Sequence, residues 1–191
     1  MSENKEKKKI SETVRWIILL AAVILLALGI RKFVIEPFNI PSESMTDTIQ
    51  VGDLIMAQKV TLELGKDPEP GQIVTFINVD GELDEKGNVA TYIKRVIATE
   101  GQTVDLRDGY VYIDGVRQEE PYTLGKPTEN LHSDRVSYPF TVSDGCIFVM
   151  GDNRNKSNDS RNMLDVGFID TNYIMGKAFV RYAPFSKFKW L

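Results

Sequence analysis

Residues 108–115 read DGYVYIDG. Four β-prone residues stand between two Asp-Gly steps. Asp and Gly tolerate the left-handed backbone that two-residue hairpins need, so Asp108-Gly109 and Asp114-Gly115 predict tight turns at both ends of one short strand. The same punctuation recurs outward from there. β-prone runs separated by turn residues cover Asp53–Val60, Gln72–Val79, Ala90–Ala98, Cys146–Met150 and Lys177–Tyr182. Pro68, Pro70 and Gly71 mark a turn before the Gln72 run. Helical periodicity is weak in this part of the chain, and no repeat appears. The reading is a mostly β body of antiparallel strands, packed as a barrel-like sheet or a sandwich. Residues 105–142 alternate hairpin and loop signals and are read as a small inserted sub-domain.

The start of the chain is different. Residues 16–30, WIILLAAVILLALGI, are fifteen apolar residues without a charge. At roughly 1.5 Å per residue they reach about 22 Å, short of the roughly 30 Å of a bilayer core. Arg31 and Lys32 can snorkel outward, which extends the span to Trp16–Ile35. A cleaved signal peptide would show small residues at a cleavage step, yet RKFVIEPFNIPS follows. A buried core helix would carry polar residues at helical spacing, and this run has none. The expected organisation is a basic cytoplasmic stretch at 1–15, a transmembrane anchor at 16–35 and an extracytoplasmic β-rich domain at 36–191. Five Lys/Arg precede the uncharged run and two follow it directly, so the positive-inside bias puts the N-terminus in the cytoplasm. The location implied is the cell membrane, crossed once.

Charge divides at the same place. Residues 1–35 carry seven Lys/Arg and three acids, a net of +4, and residues 36–191 carry 16 bases and 24 acids, a net of −8. So acidic a body repels phosphate, which argues against nucleic acid as a partner. The 191 residues include one His and one Cys. That excludes an internal disulfide and is too few for the usual Cys/His zinc sites, so no metal and no cofactor are expected. A His or thiol mechanism would have to run through His132 or Cys146.

Three stretches look unlike scaffold. Ile40–Asp53, IPSESMTDTIQVGD, puts Ser42 and Ser44 on irregular backbone that can offer N–H groups and a hydroxyl to a substrate; a capped turn is the plain alternative. In Tyr92–Val96, YIKRV, Lys94 and Arg95 point to opposite faces of a strand. One of them must leave solvent or find a partner. A lysine in apolar surroundings loses its proton readily and can then accept one from serine; a solvated edge lysine is the alternative. Met150–Arg161, MGDNRNKSNDSR, follows the apolar run CIFVM directly, which suggests a polar network anchored on a core strand rather than a surface loop. Arg95 is a natural partner for Asp152.

Together these stretches resemble the type I signal peptidases, the membrane-anchored bacterial leader peptidases of the Ser/Lys-dyad serine protease family. IPSESM is similar to the family's P-S-x-S-M, YIKRVIA to its lysine segment, GDNRNKSNDSR to G-D-N-R-x-x-S-x-D-S-R, and PGQIVTF to P-x-x-G-D-I-V-x-F with Gln72 in place of Asp. Four motifs in family order behind an anchor are far more specific than any one alone. The resemblance covers the chain from about residue 10.

The resemblance implies a mostly β catalytic domain and removal of signal peptides from secretory preproteins after small residues (Ala-X-Ala-like sites). It implies Ser44 as nucleophile, Lys94 as general base, and an oxyanion hole from the Ser42 hydroxyl and the Ser44 backbone N–H. It implies Ser157 orienting Lys94, Arg95 with Asp152 and Asp159 with Arg161 bracing the site, and Phe38, Ile40, Pro41 and Ile93 lining the substrate pockets. The partners implied are preproteins and the lipid bilayer. Nine residues from Ile35 to Ser44 reach at most about 32 Å, which confines the nucleophile near the outer membrane surface. The family commonly has S-M-x-P-T-L and R-V-I-G-x-P-G-D; here SMTDTI and RVIATEGQ stand there, changes expected to loosen two turns. Three other readings stay open: a cytoplasmic Ser/Lys autoprotease, an inactive relative serving surface-protein assembly, and an anchored β domain without activity. The anchor and the acidic body argue against the first, and the presence of Ser44 and Lys94 against the second.

Overall fold

A computed structural model of the chain describes residues 11–77, 87, 90–131 and 137–191. It divides at Val34 into an N-terminal helical unit and a β unit of Ile35–Leu191. Helix α1 spans Glu12–Phe33, 22 residues or about 33 Å. The Val14 N–H donates to Ser11 Oγ at the N-cap, Glu12 sits in the first turn, and Arg31 and Lys32 sit in the last, each favourable to the helix dipole. The helix therefore starts earlier and stops earlier than the Trp16–Ile35 reading. The Ser11 cap draws in the first turn, and Pro37 biases the chain before it to extended backbone. None of its residues is buried, so it is not the core helix of the alternative reading. It is long and apolar enough to cross a membrane.

Twelve strands follow among the described residues: β1 (Ile35–Asn39), β2 (Leu54–Gln58), β3 (Ile73–Ile77), β4 (Thr91–Thr99), β5 (Thr103–Arg107), β6 (Tyr110–Ile113), β7 (Val116–Arg117), β8 (Phe140–Thr141), β9 (Cys146–Met150), β10 (Ile169–Asp170), β11 (Ile174–Ala183) and β12 (Lys189–Trp190). Among the described residues of this unit the only α-helical element, α2 at Val60–Glu63, is a single turn. The larger sheet runs β1-β2-β11-β3-β4-β9-β10 with β12 on β11, and the smaller runs β7-β6-β5-β8. Every pairing is antiparallel. The β order is thus an open path of two sheets.

The DGYVYIDG stretch organises the smaller sheet. Arg107 pairs with Tyr110, and Ile113 with Val116, leaving two-residue loops. Asp108, Gly109, Asp114 and Gly115 all have positive φ, as type I′ turns demand. Strand β9 joins the sheets. Its Ile147 and Val149 enter one apolar cluster with Val74, Phe76 and Val96, and its Phe148 and Met150 enter another with Val104, Val111 and Ile113. Burial on both faces explains why CIFVM is apolar without alternation. A third cluster, with Met45, Ile49, Ile55 and Ile93, lies behind the serine-bearing turn.

The two substituted turns are closed, which corrects the expectation that they are loosened. Asp47 has φ +95, a conformation that proline cannot adopt, and its carboxylate pairs with Lys126 at 2.7 Å. In RVIATEGQ, the Gln102 side chain accepts from both the N–H and the hydroxyl of Thr99.

Candidate active site

The serine-bearing turn is fixed from both ends. The Ile40 N–H donates to Asp53 O and the Gly52 N–H to Ile40 O, closing the loop at its base. Asp53 accepts from the Gln50 N–H and from Arg181. Met45, next to Ser44, and Ile49 are fully buried and plug the turn into the core. Ser44 is 5% exposed. Its backbone N–H meets no acceptor among the described residues, and its Oγ lies 3.3 Å from Ser42 Oγ.

Strand β4 brings up the lysine opposite Val74 of β3. Lys94 is 3% exposed, and its Nζ donates to Ser44 Oγ at 2.8 Å and to the Ile93 carbonyl at 3.1 Å. The amine also lies 5.6 Å from the Tyr92 ring centre. Burial pulls its pKa down to about 8; Asp159 and Asp152 oppose that shift and Arg161 assists it. An amine within hydrogen-bond reach of a hydroxyl can, once neutral, take its proton.

Residues 151–161 close the third side. Asp152 is fully buried and takes Arg95 in a two-bond fork, Nε to Oδ1 at 2.8 Å and Nη2 to Oδ2 at 2.7 Å. It also accepts from the Thr48 hydroxyl of the serine turn. Asp159 and Arg161 form a second buried fork at 2.8 and 2.9 Å. Burial raises the Asp159 pKa, but the bonds and charge of Arg161 outweigh it and hold the group below the usual carboxylate range, with Ser157 contributing. Ser157 Oγ is buried near that carboxylate, without a hydrogen bond of ordinary geometry. The bonds of Lys94 go to Ser44 and Ile93, so the expected Ser157–Lys94 hydrogen bond is absent. Phe38, Ile40, Pro41 and Ile93 come together as walls of one cleft of about 260 Å³.

Several residues here escaped the sequence reading. The Asn153 N–H donates to the Ser44 carbonyl at 3.0 Å and its side chain to Glu43 O at 3.1 Å, so the 151–161 loop is tied to the serine turn through backbone atoms. Gly151 faces the same carbonyl closely enough that an added Cβ would clash with it. Their place inside GDNR was the available signal.

His132 lies outside the described residues. Cys146 opens β9 and is only partly buried. Burial, then Asp170, Asp144 and Glu100, push its pKa up, so the thiolate is disfavoured. His132→Ala and Cys146→Ala should each leave preprotein cleavage at the wild-type rate, and a tenfold loss in either would put a His or thiol back in the chemistry.

The profile of the family described as signal peptidase, peptidase S26, matches residues 13–183. The chain is 41% identical over 175 residues to "Probable signal peptidase I-1" of Synechocystis, covering 88% of this chain and 82% of that protein. It is 34% identical over 194 residues to the signal peptidase I of Bacillus licheniformis, covering 99% and 98%. A crystal structure of a signal peptidase I from Enterococcus faecalis superposes with a TM-score of 0.43 at 29% identity, covering 59% of this chain and 97% of that one.

Proposed function

The chain belongs to the signal peptidase family, peptidase S26, and on that premise we propose that it cuts through Ser44 as nucleophile and Lys94 as general base. It is a type I signal peptidase, a membrane-associated serine endopeptidase that removes signal peptides from preproteins. The observation that carries the proposed roles is the 2.8 Å contact between a buried amine and a serine hydroxyl.

Neutral Lys94 takes the Ser44 Oγ proton as the oxygen attacks the scissile carbonyl carbon. The tetrahedral oxyanion lies against the Ser42 hydroxyl and the Ser44 backbone N–H, donors worth roughly 2.7–4 kcal/mol each in such sites. The lysine ammonium returns its proton to the leaving amine, which departs as the mature N-terminus. Water, deprotonated by Lys94, then hydrolyses the acyl-enzyme and frees the signal peptide.

The two guanidinium–carboxylate forks hold the walls, and Ser157 orients Lys94 once substrate is bound, since such bonds often tighten only in the complex. A cleft of about 260 Å³ lined by Phe38, Ile40, Pro41 and Ile93 suits small apolar side chains before the cut. The Lys/Arg bias supports a cytoplasmic N-terminus and an extracytoplasmic β unit, with α1 as anchor. Membranes carrying wild type, Ser44→Ala or Lys94→Ala test the reading on a preprotein. Cleavage is expected from wild type alone, and equal cleavage by all three would sink the dyad.

A further inference from the structure

Three segments carry the proposed chemistry: the serine turn, strand β4 and the 151–161 loop. A fourth, residues 120–129, touches all of them. On the loop, Glu120 accepts both terminal nitrogens of Arg154, at 2.9 and 2.7 Å. The Thr128 hydroxyl accepts a further Arg154 N–H, and the Glu129 carbonyl accepts from Arg161 at 3.4 Å. On β4, the Arg95 guanidinium that grips Asp152 lies 4.1 Å from the Tyr122 ring centre, within cation–π range. On the serine turn, Lys126 reaches Asp47 at 2.7 Å.

The segment is itself held rigid. The Tyr122 hydroxyl donates to Glu120 at 2.9 Å, the Thr123 hydroxyl to the Glu120 carbonyl at 2.9 Å, and the Thr128 N–H to the Gly109 carbonyl of the β5–β6 turn at 2.9 Å. Arg154 is 1% exposed, and its Nε donates to the Gly151 carbonyl at 3.2 Å. A guanidinium so buried requires its carboxylate. Nothing in the proton transfers needs this fourth segment, yet it spans three elements that only the site requires to be in register.

We infer that residues 120–129 form a positioning strap, in which Glu120, Tyr122 and Lys126 act through Arg154, Arg95 and Asp47 to hold the serine turn against the lysine strand. The inference rests on the Ser44–Lys94 reading. None of the hydrogen bonds and ring contacts of the strap goes to a reacting atom or to Phe38, Ile40, Pro41 or Ile93. Its loss therefore acts on the alignment of nucleophile and base, and not on substrate affinity.

Steady-state kinetics of the purified full-length enzyme on a preprotein substrate test it. Tyr122→Leu removes the ring from Arg95 and should lower kcat at least tenfold with KM within twofold of wild type. Tyr122→Phe keeps the ring and should recover most of that loss. If Tyr122→Leu fails to fold, the partly exposed pair decides: Asp47→Asn and Lys126→Met should each lower kcat severalfold, and the double variant no further than either single. Wild-type kcat in Tyr122→Leu, or in both members of the partly exposed pair, overturns the strap, as does a change confined to KM. Failure of the underlying reading is separate, because it shows as cleavage by Ser44→Ala.

Discussion

Lys94→Arg leaves preprotein cleavage at least about 10³-fold below wild type at every pH, the scale on which removing one member of a catalytic unit acts. Arginine keeps the charge and approximate length of lysine but stays protonated, so it cannot accept the Ser44 proton. The wild-type enzyme, with an amine titrating at about 8, should gain about tenfold in kcat/KM between pH 7 and pH 9, as the neutral fraction rises from about 0.1 to about 0.9. A flat profile over that range, or an active Lys94→Arg, removes Lys94 from the role of base.

The same burial has a stability consequence of definite sign. In the unfolded chain the amine keeps its proton up to the ordinary 10.5, while in the folded protein it loses it at about 8. Between those values the unfolded state binds more protons, so this group makes folding more favourable as pH rises. Below about pH 8 the full cost of burying a cation remains. Lys94→Met should therefore abolish cleavage yet melt no lower than wild type at pH 7, with its advantage shrinking between pH 8 and 10.5. Thermal melts of both proteins across that range read the difference.

Much of the β scaffold was legible because its signals are local. DGYVYIDG carries its own turn chemistry, and β6 and β9 occupy the residues whose pattern marked them. The apolar helix α1 was legible as a run, but its ends were set by a cap at Ser11 and by Pro37. Around the candidate site, Arg95 and Asp152 could be paired on paper because both stood in conspicuous segments. The Glu120–Arg154 and Asp47–Lys126 pairs could not. They join residues 34 and 79 apart in the chain, and EEPYTLGKPTEN reads as a solvated loop until the fold delivers it beside the site. Asp47 was misjudged for a related reason. The absence of proline seemed to loosen the turn, whereas the turn has a backbone that excludes proline.

Gly151 shows how little room the site leaves. A Cβ there would clash with both the Ser44 carbonyl oxygen and Ser157 Oγ. The hydroxyl of Ser157 could rotate away, but the Ser44 carbonyl is backbone, already engaged by the Asn153 N–H at 3.0 Å. Gly151 itself donates to Asp159 at 3.0 Å, so the loop cannot easily retreat. The side chain of Gly151→Ala must therefore push the serine turn away from β4. A shift near 1 Å in a nucleophile costs about 10²-fold, and the separation of Ser44 Oγ from Lys94 Nζ has no slack at 2.8 Å. Gly151→Ala is thus expected to lose at least about 10²-fold in kcat. Gly29→Ala, in α1 with nothing within 4 Å of the new methyl, should match wild type. Gly151→Ala at wild-type kcat would mean that the serine turn moves freely over the loop, and the rigid apposition of Ser44 and Lys94 would no longer explain the catalysis.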